Sequence, residues 1–490
     1  MSFVKKLAGE TVIYGLSSIL PRIIYYLFIT TYITYRFPDT YNYGIYNDLY
    51  AYSSIILVLF LFRMDTAFFR FGSKAKNQDE IFGTTVLPVL MISIIGVLIM
   101  WWNADVIANF LGYLGDGYYV KWFACILGLD AFAGMFYARF RLQSRPYKFL
   151  FYKVANVVLT LGVVFYFLEI QPRIGGNLTF AVKRNIDYVF IANLIGSAVI
   201  AFLMLPDMIK VKWHINWEII RKTIPYAAPL VVVGIAGQIN QTFAVPLQKF
   251  FLGEGMDENL TQAGAYAGPM KIALLLNLFT VAFNYAAEPF FFNNVGKENA
   301  AKAYGQILHA FVLACGFAMM GIVCFQEIAI LLIGETYRGP QDIIPILLFS
   351  NLFLGIYYNI SIWYKLSDRT IFGAYISLGG ALITLTLSIV LLPQLGYIVS
   401  AYASLACYAF MMMAGYLLGQ KYYPIQYPVK AIIKILLFYF FFVIGTILLK
   451  SFVSSDGMAL LVGIAIFALF LLILYKWQKP AIVEFLAPHV

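Results

Sequence analysis

The sequence predicts an all-α polytopic membrane protein with about fourteen transmembrane helices, and three observations carry that prediction. Hydrophobic residues make up 62% of the chain and charged residues 12%, against about 45–50% apolar and about 25% charged in soluble domains. Mean hydropathy is +0.81, more apolar surface than a soluble chain of 490 residues could bury. The basic residues are distributed as in a membrane protein that obeys the positive-inside bias.

A span needs about 20 mostly apolar residues. Runs of that kind begin near Thr11, Gly44, Gly83, Tyr119, Phe149, Tyr188, Thr223, Ala263, Ala303, Ile344, Phe372, Ile398, Ala431 and Gly457. The first, Thr11 to Tyr35, follows Lys5 and Lys6 but is interrupted by Pro21 and Arg22 and lacks a small-residue cleavage site, so it reads as a retained helix. The second is the most polar at its start. An even number of spans places both termini on one side. With that side cytoplasmic, 23 of the 34 Lys and Arg fall in cytoplasmic segments, 8 in outside segments and 3 within spans. This asymmetry accounts for the net charge of +10 without a nucleic-acid partner, and no basic arm is present to hold a duplex.

Loops are short. The longest outside segment runs from about Glu169 to Asp187. The longest inside link, 207–222, carries Trp213, Trp217 and four Lys or Arg and reads as an interfacial amphipathic helix. It separates six spans from eight. Three matches recur in order across it: Thr11-Val-Ile-Tyr14 with Thr223-Ile-Pro-Tyr226, Gly44-Ile-Tyr46 with Gly264-Ala-Tyr266, and Asp65-Thr-Ala-Phe-Phe with Glu288-Pro-Phe-Phe. The organisation expected is therefore two pseudo-symmetric six-helix lobes, 1–206 and 223–419, joined by the 207–222 linker and followed by two extra helices and a tail over 420–490. Parallel repeats of this kind are related by an axis along the membrane normal.

Charged groups inside spans are the first candidates for function, because each is costly unless it faces protein or water. Arg22 follows Pro21 and shares a helical stripe with Tyr14, Ser18, Tyr25 and Tyr32. It reads as a cationic cavity wall for an anionic substrate, or as a structural ion pair with Asp48 or Asp130. In the eighth span Asn277, Asn284 and Glu288 share one face, and Lys271 lies about 120° round the helix from them. Pro269 could alter that phase. Lys271 reads as a cavity cation with snorkelling as its bland alternative, and Glu288, near the cytoplasmic end, as a cap or ion-pair member. Lys153, one turn into the fifth span, reads as a snorkelling anchor or a second cavity cation. Gln238, Asn240 and Gln241 in the seventh span bridge helices or meet substrate. The aromatic share of 18% fits interfacial belts and also sugar stacking. Cys125, Cys315, Cys324 and Cys407 fit no metal spacing, and no phosphate-binding Gly loop with Lys is present. No cofactor is expected, and no enzymatic signature.

Four runs carry a resemblance: YGIYNDLYAY (43–52), RMDTAFFRF (63–71), AGAYAGPMKIALLLNLFTVAFNYAAEPFFF (263–292) and NLFLGIYYNISIWYKLSDRT (351–370). The third is the most specific, joining Gly-x-Tyr, an intramembrane Lys and an acid-Pro-Phe-Phe ending. Over nearly its whole length the chain resembles the polysaccharide-biosynthesis (O-antigen, Wzx-type) branch of the multidrug/oligosaccharidyl-lipid/polysaccharide flippase superfamily. The resemblance implies two six-helix lobes around a central cavity in the bacterial inner membrane, with membrane lipids around it. It implies an undecaprenyl-pyrophosphate-type lipid-linked oligosaccharide as substrate. Basic residues hold the pyrophosphate in that family, and here they would be Arg22 and Lys271. The protein is expected to work as a monomer. Many relatives carry an acid-Arg pair in span seven where this chain has Asn240-Gln241, which sets it apart in any ion coupling there. A lipid II flippase and a cation-coupled multidrug exporter share the expected fold, the second favoured by Asp48, Asp65 and Asp130. A membrane glycosyltransferase or polymerase is disfavoured by the short loops.

Overall fold

The computed structural model describes residues 23–25, 27–28, 30–73, 75–143, 145–174, 182–211, 213–293, 300–367 and 369–486, with side chains of 285–286, 288–290, 292–293, 300 and 479–486 excepted. All regular structure among these residues is helical. Among the described residues twelve helices are long and apolar enough to cross a membrane, and Asp187–Leu203 is a shorter apolar helix. The all-α polytopic architecture expected from composition is the architecture found.

In chain order, α1 covers the helical residues within 23–36 and is followed by α2 (Thr40–Leu61), α3 (Met64–Gly72), α4 (Gln78–Trp102), α5 (Ala104–Phe110), α6 (Gly117–Leu142) and α7 (Pro146–Phe165). A π-helical turn over Tyr166–Ile170 extends α7 into α8 (Gln171–Ile174), so the segment read as an outside loop from Glu169 begins as helix. Next come α9 (Asp187–Leu203), α10 (Leu205–Ile209), α11 (Trp217–Thr242), α12 (Ala244–Phe251) and α13 (Met256–Asn293). They are followed by α14 (Ala300–Cys324), α15 (Gln326–Ala329), α16 (Ile343–Ile360) and α17 (Ile362–Leu366). The last four are α18 (Ile371–Leu395), α19 (Ile398–Tyr422), α20 (Val429–Ser451) and α21 (Asp456–Leu486).

The 207–222 link is not one amphipathic helix. Helix α10 stops at Ile209, residues 211 and 213–216 are not helical, and Trp217–Lys222 opens α11. The start is fixed by Asn216, whose side-chain oxygen accepts from the amides of Glu218 and Ile219. An N-cap satisfies amides that a helix would otherwise leave orphaned, and so it sets the start of α11 at Trp217, within the link and ahead of the apolar run that begins near Thr223.

The chain divides into two compact units. The first takes Met1–Ile29, Tyr41–Lys249 and Glu254–Leu260; the second takes Thr30–Thr40, Phe250–Gly253 and Thr261–Val490. In the first, α4, α6 and α9 form the centre, and buried aromatic rings fill it. Phe82 meets Phe68 and Phe136 edge-on, and Phe190 does the same with Tyr119 and Phe123; such edge contacts add about 0.5–1.5 kcal/mol beyond area burial. Helices α2 and α3 run antiparallel to α11 and α12. Asp48 meets Lys249, Ser54 meets Thr242, Val58 approaches Gly234, and Phe71 meets Tyr226. At the other end of this stack Gly44 brings the α2 backbone against Leu260, closer than any Cβ would allow.

In the second unit α16, α18 and α19 pack closely, and Trp363 donates to Gly415 O at 3.0 Å. Asn351 ties α16 to α13 through Ala273 O at 3.2 Å. The two C-terminal helices belong to this unit. Gly316 of α14 admits the Tyr439 ring of α20. Lys450 pairs with Glu327 at 2.7 Å and donates to Cys324 O at 2.9 Å. The end of α1 is fastened here too, where Gly334 N donates to Thr34 Oγ1 and Tyr337 OH to Phe37 O.

Candidate functional site

In the first unit Tyr25 of α1 hydrogen-bonds to the hydroxyls of Tyr46 and Tyr50 on α2. Tyr50 OH in turn accepts from Asn193 at 2.6 Å. Asp130 of α6 accepts from Ser197 of α9 at 2.7 Å. Lys153 of α7 lies 4.0 Å from the centroid of the Tyr137 ring and within electrostatic reach of Asp130. The two candidates Tyr25 and Lys153 thus border one polar interior centred on Asp130. Lys153 is half-buried and turned inward, which is not the posture of an anchor at the lipid surface. Asn240 of α11 is buried.

In the second unit Lys271, Asn277 and Asn284 are half-buried on α13, which continues unbroken through Pro269. The phase is therefore regular: the two asparagines share a face, and Lys271 stands about 120° round the helix from it. Arg22 and the side chain of Glu288 lie outside the described residues.

Three clusters were not singled out in the sequence. The most buried is an ion pair between Asp48 and Lys249 at 2.8 Å, with side chains 0% and 1% exposed. Tyr113 OH donates to the same Asp48 oxygen at 2.6 Å, and the Lys249 ammonium stands 3.7 Å from the centroid of the Tyr113 ring. Asn259 donates to Lys249 O and accepts from Glu254 N. Asp48 is therefore committed to Lys249. Nothing marked Lys249 in the sequence, because it sits at the end of a span where a surface lysine is ordinary.

A second cluster surrounds Asp116, before α6. Lys183 and Arg184 pair with its two oxygens at 2.6 and 2.7 Å, and Arg184 also donates to Tyr119 OH. Burial acts to raise the carboxyl pKa, but the two cationic donors outweigh it and hold Asp116 below the usual carboxylate range. The same bonds outweigh burial at Arg184 and raise its pKa. A depressed carboxylate stabilises the fold above its unfolded pKa of about 4, and that contribution is lost as pH falls through the folded value. Asp116→Asn should therefore lower the apparent melting temperature at pH 7. The gap between variant and wild type should narrow steadily below about pH 4, which a fluorescence melt across pH would register.

The third cluster is a break between α2 and α3. Phe62 and Arg63 adopt φ of 45° and 52°, the only non-glycine positions at positive φ among the described residues. The Arg63 side chain crosses to α11, where a Cβ added at Gly234 would lie 2.5 Å from one terminal guanidinium nitrogen and 2.8 Å from Nε. Among the described residues no group of three or more metal-ligating side chains occurs.

No family model and no curated protein matches the sequence. Solved structures do match. The lipid II flippase MurJ in an inward closed conformation superposes with a TM-score of 0.68 at 16% identity, over 95% of this chain and 99% of that one. A MOP superfamily transporter from Pyrococcus furiosus gives 0.56 at 12% identity, over 83% and 95% of the two chains. A variant of the MATE transporter VcmN from Vibrio cholerae gives 0.55 at 14%, over 85% and 96%. At these identities the likeness is one of architecture: this chain has the multi-pass helical fold of the lipid II flippase and the MATE transporters.

Proposed function

We propose that the chain is a flippase that carries an undecaprenyl-pyrophosphate-linked oligosaccharide from the cytoplasmic to the outer leaflet of a bacterial inner membrane, for surface-polysaccharide assembly. The observation that carries this reading is the likeness to the lipid II flippase over 95% of the chain. The intramembrane cations Arg22 and Lys271 support it, because an anionic headgroup needs compensating charge on its way through. Spontaneous crossing is slow, since the many polar groups of a sugar pyrophosphate would lose water without gaining partners. A wet, cationic interior supplies those partners while the polyprenyl tail stays in lipid. The lobes 1–206 and 223–419 would open alternately to the two faces, with both termini cytoplasmic and one chain sufficing. Asn277, Asn284, Glu288, Asn240, Lys153 and Tyr25 would line the path. No bond is made or broken in this process, so no catalytic group is required.

A second reading is a cation-coupled exporter, favoured by the half-buried Asp130 with Ser197 and the neighbouring tyrosines. Reconstituted vesicles separate the two. A fluorescent undecaprenyl-pyrophosphate sugar placed in the outer leaflet should become protected from a membrane-impermeant quencher only when the protein is present. Absence of protection, together with dye efflux driven by an imposed cation gradient, would replace the flippase by the exporter.

A further inference from the structure

We propose that Arg63, at the break between α2 and α3, binds the phosphate or pyrophosphate of the transported lipid on the cytoplasmic side of the path, an inference that rests on the flippase reading. Four observations lead there. Arg63 follows the Thr40–Leu61 span directly, where a guanidinium at the edge of hydrocarbon needs a compensating partner. Among the described residues its guanidinium has no hydrogen bond or ion pair, and Asp65, two residues on, accepts from Thr66 instead. Its backbone and that of Phe62 occupy the left-handed region, where bulky residues persist only if the surroundings hold them. Finally, α11 offers Gly234 where any larger residue would displace the guanidinium. A strained backbone and a side-chain gap in the facing helix thus both present one unsatisfied fork.

The antiparallel stack fixes its depth. With 1.5 Å per residue, α2 rises about 20 Å from Asp48 of the buried Asp48–Lys249 pair to its end at Leu61, and Arg63 precedes Arg70 by about 10 Å along α3. Arg70 stacks on Tyr226 at 4.6 Å, at the end that the charge bias assigns to the cytoplasm. Arg63 is therefore a step further into the hydrocarbon than the basic rim, where a headgroup arriving from the cytoplasm would first leave bulk water. A guanidinium suits this role because its donors match phosphate oxygens two at a time.

The test uses the full-length chain in phosphatidylcholine nanodiscs, with binding of radiolabelled undecaprenyl pyrophosphate and of inorganic pyrophosphate measured in parallel. Arg63→Gln keeps the side-chain length and removes the charge, and should weaken binding about tenfold or more. Gly234→Leu keeps Arg63 but displaces its fork, and should do the same. Should Arg63→Gln fail to fold, Gly234→Leu decides. Arg70→Gln should bind as wild type. Loss confined to undecaprenyl pyrophosphate supports a lipid-headgroup site, and loss of both probes supports an anion site that also takes free pyrophosphate. Wild-type affinity in the folded Arg63→Gln variant overturns the proposal; if Lys271→Ala still loses binding, the flippase reading survives. If the wild type binds neither probe, both fall.

Discussion

Arg22→Ala and Lys271→Ala should each abolish export of surface polysaccharide in a complemented deletion strain, while the protein still inserts and accumulates. Lys271 is half-buried on α13, and the sequence places Arg22 near the middle of the first span. In the flippase reading each cation neutralises the pyrophosphate when the headgroup has left water on both sides. At that point one missing charge leaves an anion uncompensated in low dielectric, where such a loss is most costly. Arg22→Lys should retain partial export, because the charge survives and the planar fork does not. Surface polysaccharide is read by antibody or lectin staining and protein level by immunoblot. Full export by both alanine variants would remove the cationic path. Loss of the protein itself would instead mark the two residues as members of structural ion pairs.

The second large effect is on stability. Lys249→Ala should destabilise the first unit severely, because it strands Asp48 with no cation inside a fully buried site. Breaking one side of a buried pair costs about 3–5 kcal/mol. Asp48→Ala should cost a comparable amount by stranding Lys249. The double variant Asp48→Leu with Lys249→Met removes both charges and fills the space, so it should recover most of the loss, as replacement of a buried pair by apolar residues is often neutral. Apparent melting temperatures of the three proteins in one detergent give the comparison. Additive losses in the double variant would show that the pair does not act as a unit. The pair ties α2 to α12 and to the Tyr113 segment, and Asn259 ties the chain beyond α12 to the same place. Its loss should therefore loosen that end of the first unit more than the centre packed by Phe82, Phe136 and Phe190.

The two cationic features that the structure adds were hidden for different reasons. Arg63 was visible in the sequence only as one of several basic residues following the second span. The apolar run ends at Phe62, and positive φ leaves no mark at a Phe-Arg dipeptide as it does at Gly. Its partner position, Gly234, is one of 37 glycines, and nothing in the chain order says that it faces residue 63 rather than lipid. Lys249 is an ordinary span-end charge in the sequence, Asp48 offers itself there as a partner of Arg22, and the pairing of the two spans 201 positions. By contrast, Tyr25 was readable because a helical stripe exposes its own members by spacing alone. Lys153 was singled out as an intramembrane charge, but its inward turn toward Tyr137 was not. The link before α11 misled because hydrophobic and charged residues at helical spacing suit an amphipathic helix, whereas the side-chain cap of Asn216 set where the helix begins.

What the sequence determined by itself is the class of solvent and, with it, the class of fold. In hydrocarbon every backbone amide needs an internal partner, so long apolar runs leave helices as the economical solution, and their lengths and flanking charges can be read residue by residue. What only the tertiary structure decided is which charges meet. The end of α1 is held by residues near 334–337 and Asp48 by Lys249, because a buried polar group is stable wherever any chain segment brings it a partner. That choice depends on how helices far apart in sequence pack, and local spacing does not encode it.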